Sequence, residues 1–295
     1  MRVTNKILVN NLKNNLSRNI RNIERVQNQL ATGKRISKPS EDPTGIVESL
    51  RLASRLRQNR QFQENTKDGI SWLNTTDGAL GSVTSALQRV YELTVQGSNG
   101  TLAPEDRKAV KEEVMQIIDE VGNIANTVQG DRYIFGGTNT TEKPYDGVDI
   151  NGAVVWKHNE KKIVYEVGVG VEVPINITAE EAFVDADLFG TLQEIATNLE
   201  SGDTTALSSD IEKINQAMDQ ILSCRAKAGA GVNRLEMTKE RLAEQEINYS
   251  TVQAEVDGVD PALVIMQLKN QENIYQASLA VGAKVIMPSL VDFLR

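Results

Sequence analysis

The stretch GKRISKPSEDPTG, Gly33 to Gly45, decides how the rest of the chain is read. It interrupts a sequence patterned almost wholly for helix. Gly33 follows a periodic segment and can enter the left-handed conformation that ends a helix without a Cβ clash. Asp42 then precedes Pro43. Asp offers a side-chain acceptor to orphan amides, and Pro has the fixed φ of a first helical turn. With Pro39 between them, these residues predict a helix end, a short irregular joint and a new helix. Gly33, Pro39, Asp42 and Pro43 are therefore the candidate hinge.

Working outward, Leu12, Leu16, Ile20, Ile23 and Leu30 recur at helical steps and form one apolar stripe before the joint. Six Asn residues lie among them between positions 10 and 22. Asn is a poor helix former, so this segment needs a partner. After the joint, Ile46, Leu50, Ala53 and Leu56 begin a second helix expected to loosen near Gly69 and to continue through Leu73, Leu80, Leu87 and Leu93. Pro104, Glu105 and Asp106 open a third, with acids where the helix dipole favours them. From about Asp131 to Ile177 the pattern changes. Asn151-Gly152 is a strong hairpin signal, and IVYEV and VEVPINI alternate like strands. Helix returns near Leu188.

Ile211, Ile214, Met218, Ile221, Ala228, Val232, Leu235, Leu242 and Tyr249 then step by three and four, with Arg225, Lys239, Glu246 and Gln253 filling the remaining rungs. Such a heptad seam predicts a helix of about 45 residues, roughly 70 Å long. Asp257 to Pro261 break it. A last helix runs through Leu263, Leu268, Tyr275 and Leu279, and Pro288 precedes an apolar tail with Leu290, Phe293 and Leu294. The expected fold is mainly α: an elongated antiparallel helical rod or coiled-coil bundle, built from both halves of the chain, with a small β-rich insert. Its expected parts are 1–40 with 257–295 as a terminal polymer core, mobile in the free monomer, 41–133 with 184–256 as the rod, and 134–183 as the insert.

The chemistry is sparse. One His (His158, expected on an exposed hairpin) and one Cys (Cys224) leave no structural zinc cluster or internal disulfide. Phosphate-cradling glycine loops and nucleophile elbows are missing. A formal charge of −8 argues against a nucleic-acid partner, and no apolar run reaches membrane-spanning length. The first 35 residues carry eight Lys/Arg and one acid without a continuous apolar stretch, unlike a cleaved secretory signal. Neither catalysis nor a cofactor is expected. The terminal stripes either fold back into a closed bundle or, as expected here, pair and join further copies. A coiled-coil signalling or dimerisation module built on the 211–256 seam is the alternative of another class.

The joint ATGKRISKPSEDP, the stretch Asn65–Gly100 and the ending VDPALVIMQLKNQENIYQASLAVGAKVIMPSLVDFLR resemble the flagellin superfamily. Within it, the start MRVTNK, the KPSEDP form of the joint and GDRYIFGGTNTTEKPYDG (Gly130–Gly147) are similar to the junction proteins that join hook to filament. The stretch 65–100 is also close to filament flagellins, so a short flagellin stays open. In that last motif Gly130, Tyr133, Phe135, Gly136 and Gly137 are expected where the helices enter the insert. The resemblance implies a ring of copies outside the cell and export through the flagellar type III apparatus with no cleaved signal. The implied partners are a first hook-associated protein, flagellin and a secretion chaperone.

Overall fold

The computed structural model describes residues 2–100, 102–148 and 154–286. Six helices carry the chain: α1 (Arg2–Thr32), α2 (Pro43–Ser98), α3 (Pro104–Ala125), α4 (Leu188–Ser201), α5 (Thr204–Asp257) and α6 (Pro261–Ile286). Between α3 and α4 lie three antiparallel hairpins and a π-helical turn at Glu180–Val184. The fold is mainly α with a small β-rich insertion. The Asn151-Gly152 turn falls outside the described residues.

The chain divides into two compact units, residues 1–58 with 245–295 (unit 1) and residues 59–244 (unit 2), so α2 and α5 each contribute to both. In unit 2 these two helices run antiparallel. Gly69 faces Leu235, Gly231 faces Leu73, and Asp77 pairs with Arg225 at 2.9 Å. The expected loosening at Gly69 does not occur, because α2 is one helix of 56 residues. A Cβ at Gly69 would lie 3.0 Å from both Ile175 and Leu235, so the glycine admits a neighbouring helix and a β segment rather than breaking its own helix.

The buried face of α2 follows a heptad line through Phe62, Thr66, Leu73, Thr76, Leu80, Val83, Leu87, Val90 and Thr94. Its threonines cost little there: Thr66, Thr76, Thr84 and Thr94 each donate to the carbonyl four residues back, at 2.7–2.9 Å. On α5 the deepest line is Leu207, Asp210, Ile214, Ala217, Ile221, Cys224, Ala228 and Leu235. Ile211, Met218, Arg225 and Val232 flank that line half-buried, and Lys239 is exposed. Of the polar rungs, Arg225 flanks the buried line and reaches across to Asp77 on α2, while Lys239 stands exposed. Small residues occupy alternate rungs of the true seam, where helices approach closely. The helix is also longer than expected, at 54 residues.

Helices α3 and α4 close the bundle. Val114, Ile118 and Val121 face Leu192, Ile195 and Leu199 in one core, and exposed ion pairs Arg89–Glu113 (2.7 Å) and Lys111–Glu200 (2.6 Å) lace the outside. The hairpins are β1–β2 (Val128–Gln129, Arg132–Tyr133), β3–β4 (Tyr145–Val148, Val154–Trp156) and β5–β6 (Val164–Gly168, Val171–Pro174). β3 pairs Tyr145 with Trp156, and β5 pairs Tyr165 with Val173. Their inward residues, with Ile134, Phe135 and Phe183, belong to the same core as the helices.

Candidate assembly surface

The motif expected at the insert's root is built into that core. Gly130 turns β1 into β2 with φ +61°. Tyr133 is half-buried, and its N–H donates to Thr140 O at 2.9 Å. Phe135 is fully buried, meets Phe183 edge-on at 5.1 Å, and its carbonyl accepts from Ala179. Gly136 and Gly137 are buried, with Asn139 O and Asn159 O where their Cβ atoms would be. Gly137 also has φ +66°, so the tight loop demands glycine for space and for conformation. Tyr145 stacks on Phe189 at 4.7 Å, with its ring over Gly122.

Reactive groups here are held in structural roles. His158 is only 10% exposed, not on an open hairpin as its sequence context suggested, and Nε2 lies 2.9 Å from Glu180 Oε2 beside Trp156. The Cys224 thiol donates to Glu181 O, and burial pushes its pKa up, the reverse of what activates a nucleophile. Among the described residues no three potential metal ligands converge, and no helix is long and apolar enough to cross a membrane.

Unit 1 is different in kind. α1 and α6 pair antiparallel: Gly282 lies against Leu12, and Asn19 Nδ2 donates to Ser278 Oγ at 3.1 Å. A Cβ at Gly282 would strike the Leu12 side chain, so glycine sets how close the helices come. Of the stripe residues, Leu12, Leu16, Ile23, Leu268 and Tyr275 are half-buried in this seam. Val26 and Val264 are buried in it. Ile20, Leu30, Leu263 and Leu279 instead point outward, with Ile7, Leu8, Ile265, Met266, Ile274 and Val281. Leu290, Phe293 and Leu294 lie outside the described residues. One stripe per helix is therefore resolved into a narrow inner seam and flanking apolar side chains that the described residues leave uncovered.

The joint is pinned rather than open. Gly33 has φ +69°, and its N–H donates to Gln29 O, closing α1. Pro39 is exposed in the turn that follows. Asp42 Oδ1 accepts from Gly45 N at 2.9 Å and caps α2, which Pro43 starts. That bond, with help from Arg35, holds the Asp42 carboxyl below its usual range. Glu41 Oε2 accepts from the Ser37 and Lys38 amides, and the Ser37 bond lowers its pKa likewise. Sequence reading missed Ile36, whose side chain is buried and plugs the turn against Gly45. An isolated Ile in a polar loop was the available signal.

Two family descriptions match this architecture. Residues 3–140 fit the bacterial flagellin N-terminal helical region, and residues 211–294 fit the bacterial flagellin C-terminal helical region. Together they span three quarters of the chain. The chain belongs to the flagellin superfamily. Among curated relatives, flagellin of Bacillus subtilis is 27% identical over 96% of both chains. Flagellar hook-associated protein 3 of Escherichia coli is 25% identical over 85% of this chain and 86% of its own. The solved structure of hook-associated protein 3 from Legionella pneumophila shares the fold at a TM-score of 0.64 and 16% identity, covering 70% of this chain and 98% of that one. These relatives are structural proteins of the flagellum, and as a member of their superfamily this chain is a flagellar structural component.

Proposed function

We propose that the chain is the adaptor between hook and filament, a ring of copies on which flagellin assembly is templated. The observation that carries this reading is the stretch Gly130–Gly147, which resembles the junction proteins in sequence and forms the root of the insert in the fold. Its two buried glycines and Phe135 tie the hairpins to the helices, so the stretch is a structural signature rather than a surface loop. The fold shared with hook-associated protein 3 supports the same reading. The uncovered outer face of α1 and α6 supplies what a ring needs, an apolar surface that copies cover for one another. The first hook-associated protein is the neighbour below and flagellin the neighbour above. Export runs through the flagellar type III channel, with a chaperone covering the apolar C-terminal segment beforehand.

A short flagellin is the second reading, favoured by the 27% identity to a filament protein along nearly the whole of both chains. Immunogold electron microscopy of intact flagella separates the two. An antibody against the insert reaches the β5–β6 turn, where Val169 is 78% exposed. A gold band confined to the hook–filament boundary is expected. Label along the filament would replace the adaptor with a flagellin, and flagella without label would remove both.

A further inference from the structure

An asparagine side chain can react with the amide of the residue that follows it, most readily when that residue is glycine. The sequence holds two such pairs, Asn99-Gly100 and Asn151-Gly152, and the second lies outside the described residues. The first sits just past α2, which ends at Ser98, so the Gly100 amide has left the helical ladder. Its N–H donates to Gly97 O at 3.4 Å, longer than an ordinary N–H···O bond, and Gly100 has φ +64°. Both residues are exposed, and the Asn99 side chain holds no hydrogen bond among the described residues.

The other described asparagines outside the helices are held. Asn126 donates to Tyr145 O at 2.8 Å and accepts from Tyr145 N at 2.9 Å. Asn139 Nδ2 donates to Glu142, Asn159 Oδ1 accepts from Thr138 N, and Asn176 Oδ1 accepts from Ile163 N. The residues that follow them, Thr127, Thr140, Glu160 and Ile177, each carry a Cβ that crowds the reacting nitrogen. Asn99 combines a loose side chain with a following amide that has no Cβ beside it.

We propose that Asn99 is a self-modification site whose only co-reactant is water. The Gly100 nitrogen gives up its proton and attacks Asn99 Cγ. The N–Cγ bond forms, the Cγ–Nδ2 bond breaks, and ammonia leaves with that proton, closing a five-membered succinimide. Water then opens the ring. Breaking the new N–Cγ bond yields aspartate. Breaking the bond between Asn99 C and Gly100 N yields isoaspartate, with the main chain rerouted through Cβ. Either product places a carboxylate at the C-terminal end of α2, where the helix dipole disfavours an anion. Isoaspartate also adds a methylene to the main chain at a corner where Gly97 packs against Leu199 and Gly100 lies near Thr204. The change needs no enzyme and accumulates with the age of the molecule.

Peptide mapping by mass spectrometry tests this on the full chain, kept folded for days in mildly alkaline buffer made with heavy-oxygen water. The Asn99 peptide should take up a heavy oxygen as it loses its amide, and an isoaspartate methyltransferase should then label it. It should convert faster than the peptides of Asn126, Asn139 and Asn159 by about tenfold or more, since held groups react only when the structure opens locally. Its rate in the folded chain should match its rate in denaturant within about threefold, because the fold gives that corner no protection. Asn99→Gln, whose longer side chain disfavours ring closure, should remove both signals from that peptide. The proposal is overturned if Asn99 stays an amide, converts no faster than the held asparagines, or reacts in denaturant but not in the folded chain. Conversion without isoaspartate, which is direct hydrolysis of the side chain, would overturn it too, as would label that persists in the Gln variant.

Discussion

Unit 2 and unit 1 are made from the same kind of helix and treat their apolar residues in opposite ways. In unit 2, Leu80, Leu87, Val114, Leu192, Leu199 and Ile221 are closed over by one another and by the hairpins. In unit 1, the buried apolar side chains among the described residues are five: Val26, Ile36, Leu52, Leu56 and Val264. Fifteen of the large apolar side chains that stand exposed among the described residues belong to unit 1, although it is the smaller unit. A chain that can bury Phe135 completely does not expose Ile274 and Leu279 for want of packing skill. The difference separates surface used for folding from surface left exposed, which the proposed ring assigns to other copies, and burial rather than hydropathy distinguishes them.

The largest effect expected on this contrast is Phe135→Ala. It removes an aromatic ring from the root of the insert and should destabilise unit 2 by about 3–5 kcal/mol in denaturant unfolding. A loss under about 1 kcal/mol would mean that the insert and helices do not share a core. Next comes Gly137→Ala, which places a Cβ against Asn159 O at a positive φ. A cost of roughly 1–3 kcal/mol is expected from the clash.

Both predictions concern residues visible in the sequence; much of the seam was not. The α2 line hides behind Thr66, Gly69, Thr76 and Thr94, where back-bonded hydroxyls and a glycine do what Leu does elsewhere. On α5 a hydropathy reading picks the larger Ile211, Met218 and Val232, while Ala217 and Cys224 lie deeper. Close helix approach favours the smaller residue, which carries the weaker apolar signal. The helix ends were legible because Gly33, Asp42, Pro43 and Pro104 act locally. Long-range partners such as Ser49 with Asp257 leave no local trace. The inner and outer faces of α1 and α6 could not be told apart either, since both read as one stripe until the pairing is known.

Smaller effects sharpen the picture at the surface. Truncating Asp77, which pairs with the partly exposed Arg225, should cost about 0.2–1 kcal/mol in unit 2 and less at high salt. In unit 1 the joint should respond to acid. The carboxyls of Glu41 and Asp42 sit below their usual range, so the bonds they accept are present above it and are lost as pH falls through their lowered values. Amide NMR should show Ser37 and Gly45 shifting in that acidic window, with the α4 amides unmoved.

The most direct measurement compares the native chain with an Ile274→Asp/Leu279→Asp chain on isolated hooks that lack the adaptor. Both side chains stand exposed on α6, by 41% and 45%. The double variant should melt as the native chain does, since exposed sites away from packing change stability by only about 0.5 kcal/mol. The adaptor role requires that the native chain bind hook ends and permit flagellin to grow from them, while the variant does neither. A variant that binds and templates as well as the native chain would contradict it.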